Sequence, residues 1–326
     1  MIIRREETGP TWRELLNQGT EQLLAAGIDE AGLDAWYLLS EAFGIDRVHY
    51  YMEQEKPVRE ERLNRGLGRY RDMLSRRASR IPLQQILGNA SFMGLTFAVN
   101  EHVLIPRQDT EVLTEQVLAD YPGRDITVLD VCTGTGCIAI SLAVLGKYRT
   151  VCGTDISGEA LAVANRNARS LFLGQKGVFK GTADHVSDTP WRTDYSVKTE
   201  EGERYLVLAQ SDLFRGIPEG DQFDVIVSNP PYIASAVIDT LAPEVKDHEP
   251  RLALDGKEDG LFFYRILAEE SRKHLAAGGR IYLEIGYDQS ESVADLLKNA
   301  GFTGIRTVRD LAGLDRVVTA EYSGNS

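Results

Sequence analysis

The chain has 326 residues, a formal net charge of −13 and a sequence pI near 5.0. That charge opposes the phosphate neutralisation on which unspecific DNA or RNA binding relies, so direct association with nucleic acid is not expected. No apolar run reaches membrane-spanning length and the start MIIRREETGPTW lacks a signal-peptide core, so the expectation is a soluble, monomeric, cytoplasmic protein off the membrane.

From Trp12 to Phe43 apolar residues recur at spacings of three and four: Trp12, Leu15, Leu16, Leu23 and Leu24, then Leu33, Trp36, Leu39 and Phe43. This predicts a small helical bundle over residues 1–82, suited to presenting or recognising a substrate. Arg59, Arg62, Arg65, Arg69, Arg76 and Arg80 recur at largely helical spacing. Such a run is ordinarily a solvated helix face; docking of an acidic partner surface is the alternative. Residues 83–106 read as a connector with β-hairpin character, in which Gly88-Asn89 and Asn100-Glu101 mark turns and Ser91 to Val99 is apolar. Phe92 and Leu104 are read there as core residues, with a pocket wall as the alternative.

Residues 107–326 alternate helix and strand signals and read as one domain. Ile126 to Val131 (ITVLDV) fits a buried parallel strand and runs through Asp130 into Cys132, Thr133, Gly134, Thr135 and Gly136, ahead of a helical stretch with Ile138, Ile140, Leu142 and Leu145. Glycines between a strand and a helix let a ligand approach the backbone and face the helix N-terminus. The loop is not a Walker A, because no Lys-Ser or Lys-Thr follows. It also falls short of the full G-x-G-x-x-G, although Ala139 at the third position leaves a nicotinamide dinucleotide site open. A second strand, Thr150 to Thr154, ends at Asp155, where a carboxylate suits a ribose diol. The stretch from about Gly174 to Arg204, without sustained periodicity, reads as a surface elaboration, with a lid or partner contact as the alternative. A third strand, Tyr205 to Gln210, ends in Ser211, Asp212 and Leu213, where an adenine could lie between apolar walls.

The fourth strand, Phe223 to Ser228, opens into Asn229, Pro230, Pro231 and Tyr232. Prolines fix φ and supply no N–H, so this segment leaves the sheet as a stiff hook. The Asn229 side-chain oxygen and the Pro230 carbonyl are then two acceptors in a fixed geometry, which is what a planar NH2 group needs if both its hydrogens are to be held. Tyr232 can stack on the flat group. Asn-Pro and Pro-Pro alone are turn punctuation; here all four candidate elements fall at the carboxyl ends of successive strands, where open α/β sheets bind ligands. Further on, Glu244, Asp247 and Glu249 read as part of a structural loop, and Asp255, Asp259 and Gly260 as the cap of a helix from Leu261. Strands are expected at Gly279 to Ile285, Phe302 to Arg309 and Arg316 to Tyr322. Cys132, Cys137 and Cys152 lack C-x-x-C spacing and the five histidines are dispersed, so no metal site is expected.

These residues resemble the class I S-adenosylmethionine-dependent methyltransferases, and among them the N5-glutamine methyltransferases of peptide chain release factors. The resemblance spans most of the chain: LIPRQDTE from Leu104 to Glu111, the glycine loop, Asp155, QSDLF from Gln210, SNPPYI from Ser228, HEPRLALDGKEDGLFFYR from His248 and RDLAGLDRVV from Arg309. Cys132 stands where the family commonly has glycine, Gln108 replaces a more usual proline, and the insertion at 174–204 is long. The resemblance implies a Rossmann-like α/β sheet of seven strands with an antiparallel last hairpin. It further implies that Cys132 to Gly136 and Asp155 hold S-adenosyl-L-methionine, that Leu213 lies by its adenine, and that Asn229 to Tyr232 receive a glutamine amide of a release factor. Asp130, Asp212 and Asn229 complete the expected cofactor set.

Methyl transfer from a sulfonium is an in-line displacement with a good leaving group, so alignment and a competent nucleophile are the main requirements. An amide nitrogen has its lone pair delocalised, and an ordinary Asp or His is too weak a base to deprotonate it. Hydrogen bonds to Asn229 Oδ1 and the Pro230 carbonyl would localise electron density on nitrogen and stabilise the developing positive charge. An exocyclic amino group of DNA or RNA has the same needs and is the alternative acceptor. A non-catalytic adenosylmethionine sensor is the second alternative, opposed by the presence of a pocket tuned to an NH2 group.

Overall fold

The computed structural model describes residues 9–123, 125–173, 183–189, 192–199 and 202–324. The described residues form two compact units, one running to Gly88 and taking in the distant segment Pro243–His248, the other holding Asn89–Ala242 and the chain from Glu249.

In the first unit, Thr11 opens α1 (Trp12–Ala25) with a reciprocal capping box: its Oγ1 accepts from the Glu14 N–H at 3.2 Å, and Glu14 Oε2 accepts from the Thr11 N–H at 2.8 Å. Helices α2 (Ala31–Phe43), α3 (Arg47–Glu53), α4 (Glu60–Ala78) and α5 (Leu83–Leu87) follow. They share one core containing Trp12, Leu15, Leu23, Trp36, Leu39, Phe43 and Tyr70. Leu24 and Leu33 depart from the expected apolar face and are 58% and 40% exposed. A step of 100° per residue explains Leu24, since its neighbour Leu23 already points inward. Guanidinium groups of α4 and of the turn after it bond within their own unit: Arg62 lies 5.1 Å over the Trp12 ring, Arg69 meets Glu41 at 2.5 Å, and Arg80, two residues past the helix end, meets Glu244 at 2.9 Å.

The second unit begins with an antiparallel hairpin, β1 (Asn89–Phe92) and β2 (Leu95–Ala98). Its two-residue turn is Met93-Gly94, with φ of 51° and 72°, rather than either expected turn; Gly88 instead ends α5. Then come α6 (Gln108–Asp120), β3 (Thr127–Val131), α7 (Cys137–Ser141) continued by a π-helical turn, β4 (Thr150–Asp155) and α8 (Gly158–Leu171). After these lie β5 (Ala183–Thr189), β6 (Arg192–Thr199), β7 (Gly202–Gln210), β8 (Phe223–Ser228) and the short helices α9 (Ser235–Ile238), α10 (Pro243–Lys246, within the first unit) and α11 (Arg251–Leu254). The chain closes with α12 (Phe262–His274), β9 (Leu275–Glu284), α13 (Ser290–Asn299), β10 (Thr303–Arg309) and β11 (Asp315–Tyr322).

The large sheet has the order β10-β11-β9-β8-β3-β4-β7-β6-β5. Five central strands are parallel, and β10 and β11 form the expected antiparallel edge. Nine strands replace the expected seven because the insertion is not a loop throughout: β5 and β6 extend the sheet antiparallel beyond β7. In β6, Thr193, Tyr195 and Val197 are buried on one face, and Ser196 is buried as well. Residues 174–182, 190–191 and 200–201 of that insertion lie outside the described residues. Alternate residues of the central strands enter two cores. Val128, Val225 and Val227 meet α6, α7 and α8 on one face; Leu129, Ile226 and Ile281 meet α12 and α13 on the other. Strand order reverses between β3 and β8, so the loops after these neighbouring strands diverge at a topological switch point. Among the described residues, no helix is long and apolar enough to cross a membrane.

Candidate functional site

At the carboxyl end of the central strands, inside the second unit, opens a cavity of about 560 Å³. Its floor is the loop after β3. Cys132, Gly134 and Gly136 all have positive φ, at 65°, 54° and 77°, a left-handed conformation that glycine adopts freely and a side chain only with strain. Asp130 is not on the cavity wall. It is fully buried beneath the loop, accepting from Thr133 Oγ1 at 2.5 Å and from the Ala139 N–H at 3.2 Å, and so ties the strand end to the start of α7. Burial pushes its carboxyl up to about 7.

Asp155 ends β4 on the same cavity. Its Oδ2 accepts from the Gly134 N–H and its Oδ1 from the Ser157 N–H, each at 2.9 Å. These bonds hold the carboxylate beside the glycine loop. Burial raises its pKa, and the backbone donors of Ser157 and Gly134 oppose that. Asp212 and Leu213, after β7, line the same wall; Leu213 has φ of 53°, so its placement over the cavity costs backbone strain. Ile156 also lines the cavity, as do Phe262 and Phe263.

After β8, Asn229 and Pro231 line the cavity, and Pro230 and Tyr232 are not among its lining residues. Asn229 Nδ2 donates to Thr110 Oγ1 of α6 at 3.2 Å. The Tyr232 hydroxyl turns away to donate to Glu284 Oε1 at 3.3 Å, so the tyrosine expected to stack on a flat group is tied by its phenol at the end of β9. Its backbone is clamped from below. The Tyr232 carbonyl accepts from Gln289 Nε2 at 3.0 Å, the Ile233 carbonyl accepts from the Gly256 N–H at 2.8 Å, and a Cβ on Gly260 (φ 74°) would run into the Tyr232 carbonyl. The glycines of DGKEDG therefore serve the NPPY hook as well as the helix start at Leu261, where Asp259 accepts from the Leu261 N–H at 3.0 Å.

On the opposite wall the alternative reading holds for Leu104, which lines the cavity with Pro106 and Arg107, while the core reading holds for Phe92, which is fully buried. Arg107 Nη2 grips both oxygens of Glu249 at 2.7 and 2.6 Å, and Pro250 to Ala253 follow along the rim. The Glu249 carboxylate, read as part of a structural loop, thus joins LIPRQDTE to HEPRLAL at the cavity. Those segments carried the narrowest resemblance, and that was the available signal. Sequence reasoning missed Thr110 and Glu284; nothing local in the sequence marks a lone Thr or a strand-end Glu.

The wall chemistry fits a nucleoside. Gly134 leaves room at the backbone, the half-buried Asp155 carboxylate is free to accept from hydroxyls, and apolar side chains flank it, within the usual ligand-pocket range of about 300–1,000 Å³. Among the described residues no group of three or more His, Cys, Asp or Glu is placed to hold a metal.

The PrmC N-terminal domain family matches residues 14–88, and a methyltransferase domain family matches residues 122–184. The release factor glutamine methyltransferase of Geobacter sulfurreducens is 39% identical over 309 residues, covering 94% of this chain and 95% of that one. The release factor glutamine methyltransferase of Caulobacter vibrioides is 38% identical over 299 residues, covering 91% and 92%. The solved catalytic domain of hMettl16 superposes with a TM-score of 0.50 at 13% identity, covering 78% of this chain and 85% of that one, a likeness of fold alone.

Proposed function

This chain belongs to the release factor glutamine methyltransferase family, and on that premise we propose that the loop from Asn229 to Tyr232 presents a glutamine amide to a cofactor held over the glycine loop. The activity is S-adenosyl-L-methionine-dependent methylation of the N5 nitrogen of a glutamine side chain in peptide chain release factors. One observation supports the site most: the glycine loop, Asp155, Leu213 and Asn229 line one cavity at the switch point of the sheet.

Bound S-adenosylmethionine supplies a methyl group on a sulfonium, a leaving group that needs no acid. The chain's residues supply placement. The Gly134 and Thr135 backbone receives the cofactor closely, Asp155 accepts from its ribose hydroxyls, and Leu213 packs against its adenine. Cys132, Thr133, Gly136 and Asp212 complete that cradle, with Asp130 bracing it from beneath. Asn229 Oδ1 and the Pro230 carbonyl each accept one hydrogen of the substrate NH2. Held that way, the nitrogen directs its electron pair along the transfer axis, and both acceptors stabilise the positive charge that grows on it. Pro231 keeps the hook rigid. The proton leaves after transfer, to water. No nucleic acid takes part in this reading.

The test is transfer of labelled methyl to purified release factor, with DNA and RNA offered in parallel. Wild type labels the factor and not a variant factor lacking the target glutamine. Asn229→Ala lowers kcat by roughly 100-fold or more, the range seen when a preorganised charge-stabilising group is removed, with cofactor affinity little changed. Label entering nucleic acid instead would overturn the substrate assignment.

A further inference from the structure

Resting on the amide-holding role of Asn229, we propose that Glu284 and Thr110 are positioning residues that set which end of the Asn229 side chain faces the substrate. The two ends of an asparagine amide are nearly the same size, and only hydrogen-bond polarity separates them. If the amide turned over, its NH2 would meet the substrate NH2, and the acceptor would be lost.

The polarity is carried by a relay of three side chains. Thr110 is 2% exposed and its hydroxyl has one proton to give. The acceptor inferred for that proton is the Glu284 carboxylate, 1% exposed at the end of β9, whose pKa the Thr110 hydroxyl lowers as a donor. Thr110 Oγ1 can then only accept, and it accepts from Asn229 Nδ2 at 3.2 Å. Oδ1 is left for the substrate. The same carboxylate accepts from the Tyr232 hydroxyl at 3.3 Å, so one anion orients both ends of the NPPY hook. Glu284 Oε2 has no hydrogen-bond partner among the described residues. A buried carboxylate left incompletely satisfied is costly, and a core that needed only packing would carry an apolar residue there. Glu284 does not line the cavity and so acts through Thr110 and Tyr232.

The relay reverses when Glu284 takes up a proton. A carboxylic acid can donate to Thr110 Oγ1, the Thr110 proton then points at Asn229, and the amide end favoured toward Thr110 becomes Oδ1. The groups acting on Glu284 are Thr110 and Asp109 from α6, Tyr232 from the hook and Arg316 from β11. Tyr264 of α12 and Cys137 of α7 also feel its charge. Burial is the largest influence and lifts the carboxyl to about 7, against the opposing pull of Thr110, Arg316 and Tyr232. Activity should therefore fall as the pH drops through about 7.

The experiment is single-turnover methyl transfer to release factor between pH 5.5 and 9, with adenosylmethionine affinity measured in parallel, for wild type, Thr110→Val, Thr110→Ser, Glu284→Gln and Asn229→Ala. Expected are a fall of roughly 10- to 100-fold for Thr110→Val with cofactor affinity within about twofold of wild type, and recovery to within about threefold for Thr110→Ser. Wild type should lose up to about tenfold per pH unit below its acid limb, whereas Glu284→Gln should be slow at every pH with that limb gone. Full rate in Thr110→Val beside an inactive Asn229→Ala would overturn the relay and leave the amide-holding role standing. Full rate in Asn229→Ala would overturn the role on which the relay rests. An unchanged acid limb in Glu284→Gln, or equal losses of rate and cofactor affinity in Thr110→Val, would also overturn it, and the Glu284 arm still decides if the valine variant does not fold.

Discussion

The three positive φ angles in the loop after β3 are not equivalent. A Cβ on Gly134 would meet nothing within 4 Å, so only backbone strain opposes a side chain there, whereas a Cβ on Gly136 would lie 2.8 Å from Ile140 Cδ1 and 3.2 Å from Ala164 Cβ. Gly136→Ala should thus combine a left-handed penalty with crowding between α7 and α8. We expect a loss of about 2 kcal/mol in stability and a lower melting temperature, with weaker adenosylmethionine binding by calorimetry; an unshifted melting curve would contradict it. Cys132 already occupies such a conformation, at φ 65°. The sequence showed an atypical residue at that position and not that it is strained, because φ belongs to the folded loop. The same limit hid Tyr232: its neighbourhood was legible, but its rotamer, tied to Glu284, depends on a strand 52 residues away.

Secondary elements were legible where one face meets one core. The central strands, with apolar side chains on both faces, read as continuous runs, and the hook and glycine loop followed from where those runs stop. The insertion was misread because Thr193, Tyr195 and Val197 alternate with Asp194, Ser196 and Lys198 over a stretch too short and polar to stand out from its flanks. Arg77 was missed for another reason. The arginine run read along α4 as a solvated face leaves out Arg77, which is 8% exposed, with Nε 2.6 Å from Asp34 and Nη1 3.0 Å from Glu244. Asp34 is itself 6% exposed. Arg77→Ala would strand a buried carboxylate between α2 and α4 and should destabilise the helical unit by about 3–5 kcal/mol. Arg69→Ala, which removes an exposed pairing with Glu41, should cost less than about 1 kcal/mol. Chemical denaturation of the two variants should separate them clearly, and equal midpoints would show that the buried pair is not a stabilising contact.

Across the whole molecule, the ionisable groups set stability and activity against each other. Asp130 and Glu284 are both lifted to about 7 by burial. Between the ordinary carboxylate range and pH 7 the unfolded chain gives up these protons while the folded chain keeps them, so the folded state binds more protons and unfolding free energy falls as pH rises. Asp259, held down to about 2 by its hydrogen bond from Arg265, acts in the opposite sense, as do Asp255, Asp310 and Asp315, whose pKa values are also lowered. Their stabilisation is present above about pH 4 and is lost as the pH falls below it. Self-repulsion of a chain with net charge −13 adds to the loss on the alkaline side. The melting temperature should accordingly peak near pH 5 and decline toward pH 8, while methyl transfer, which needs Glu284 ionised, should rise over the same interval. Moving Glu284 from its ordinary 4.5 to about 7 corresponds to about 3 kcal/mol of ionisation cost above pH 7. Glu284→Gln should recover much of that at pH 8 and none of it at pH 4.5, making the variant relatively more stable with rising pH even as it becomes slow at every pH. Melting curves of wild type and Glu284→Gln from pH 4.5 to 8 decide this: parallel curves would mean that Glu284 is already ionised at no cost, and the opposition between stability and activity would have to come from Asp130 alone.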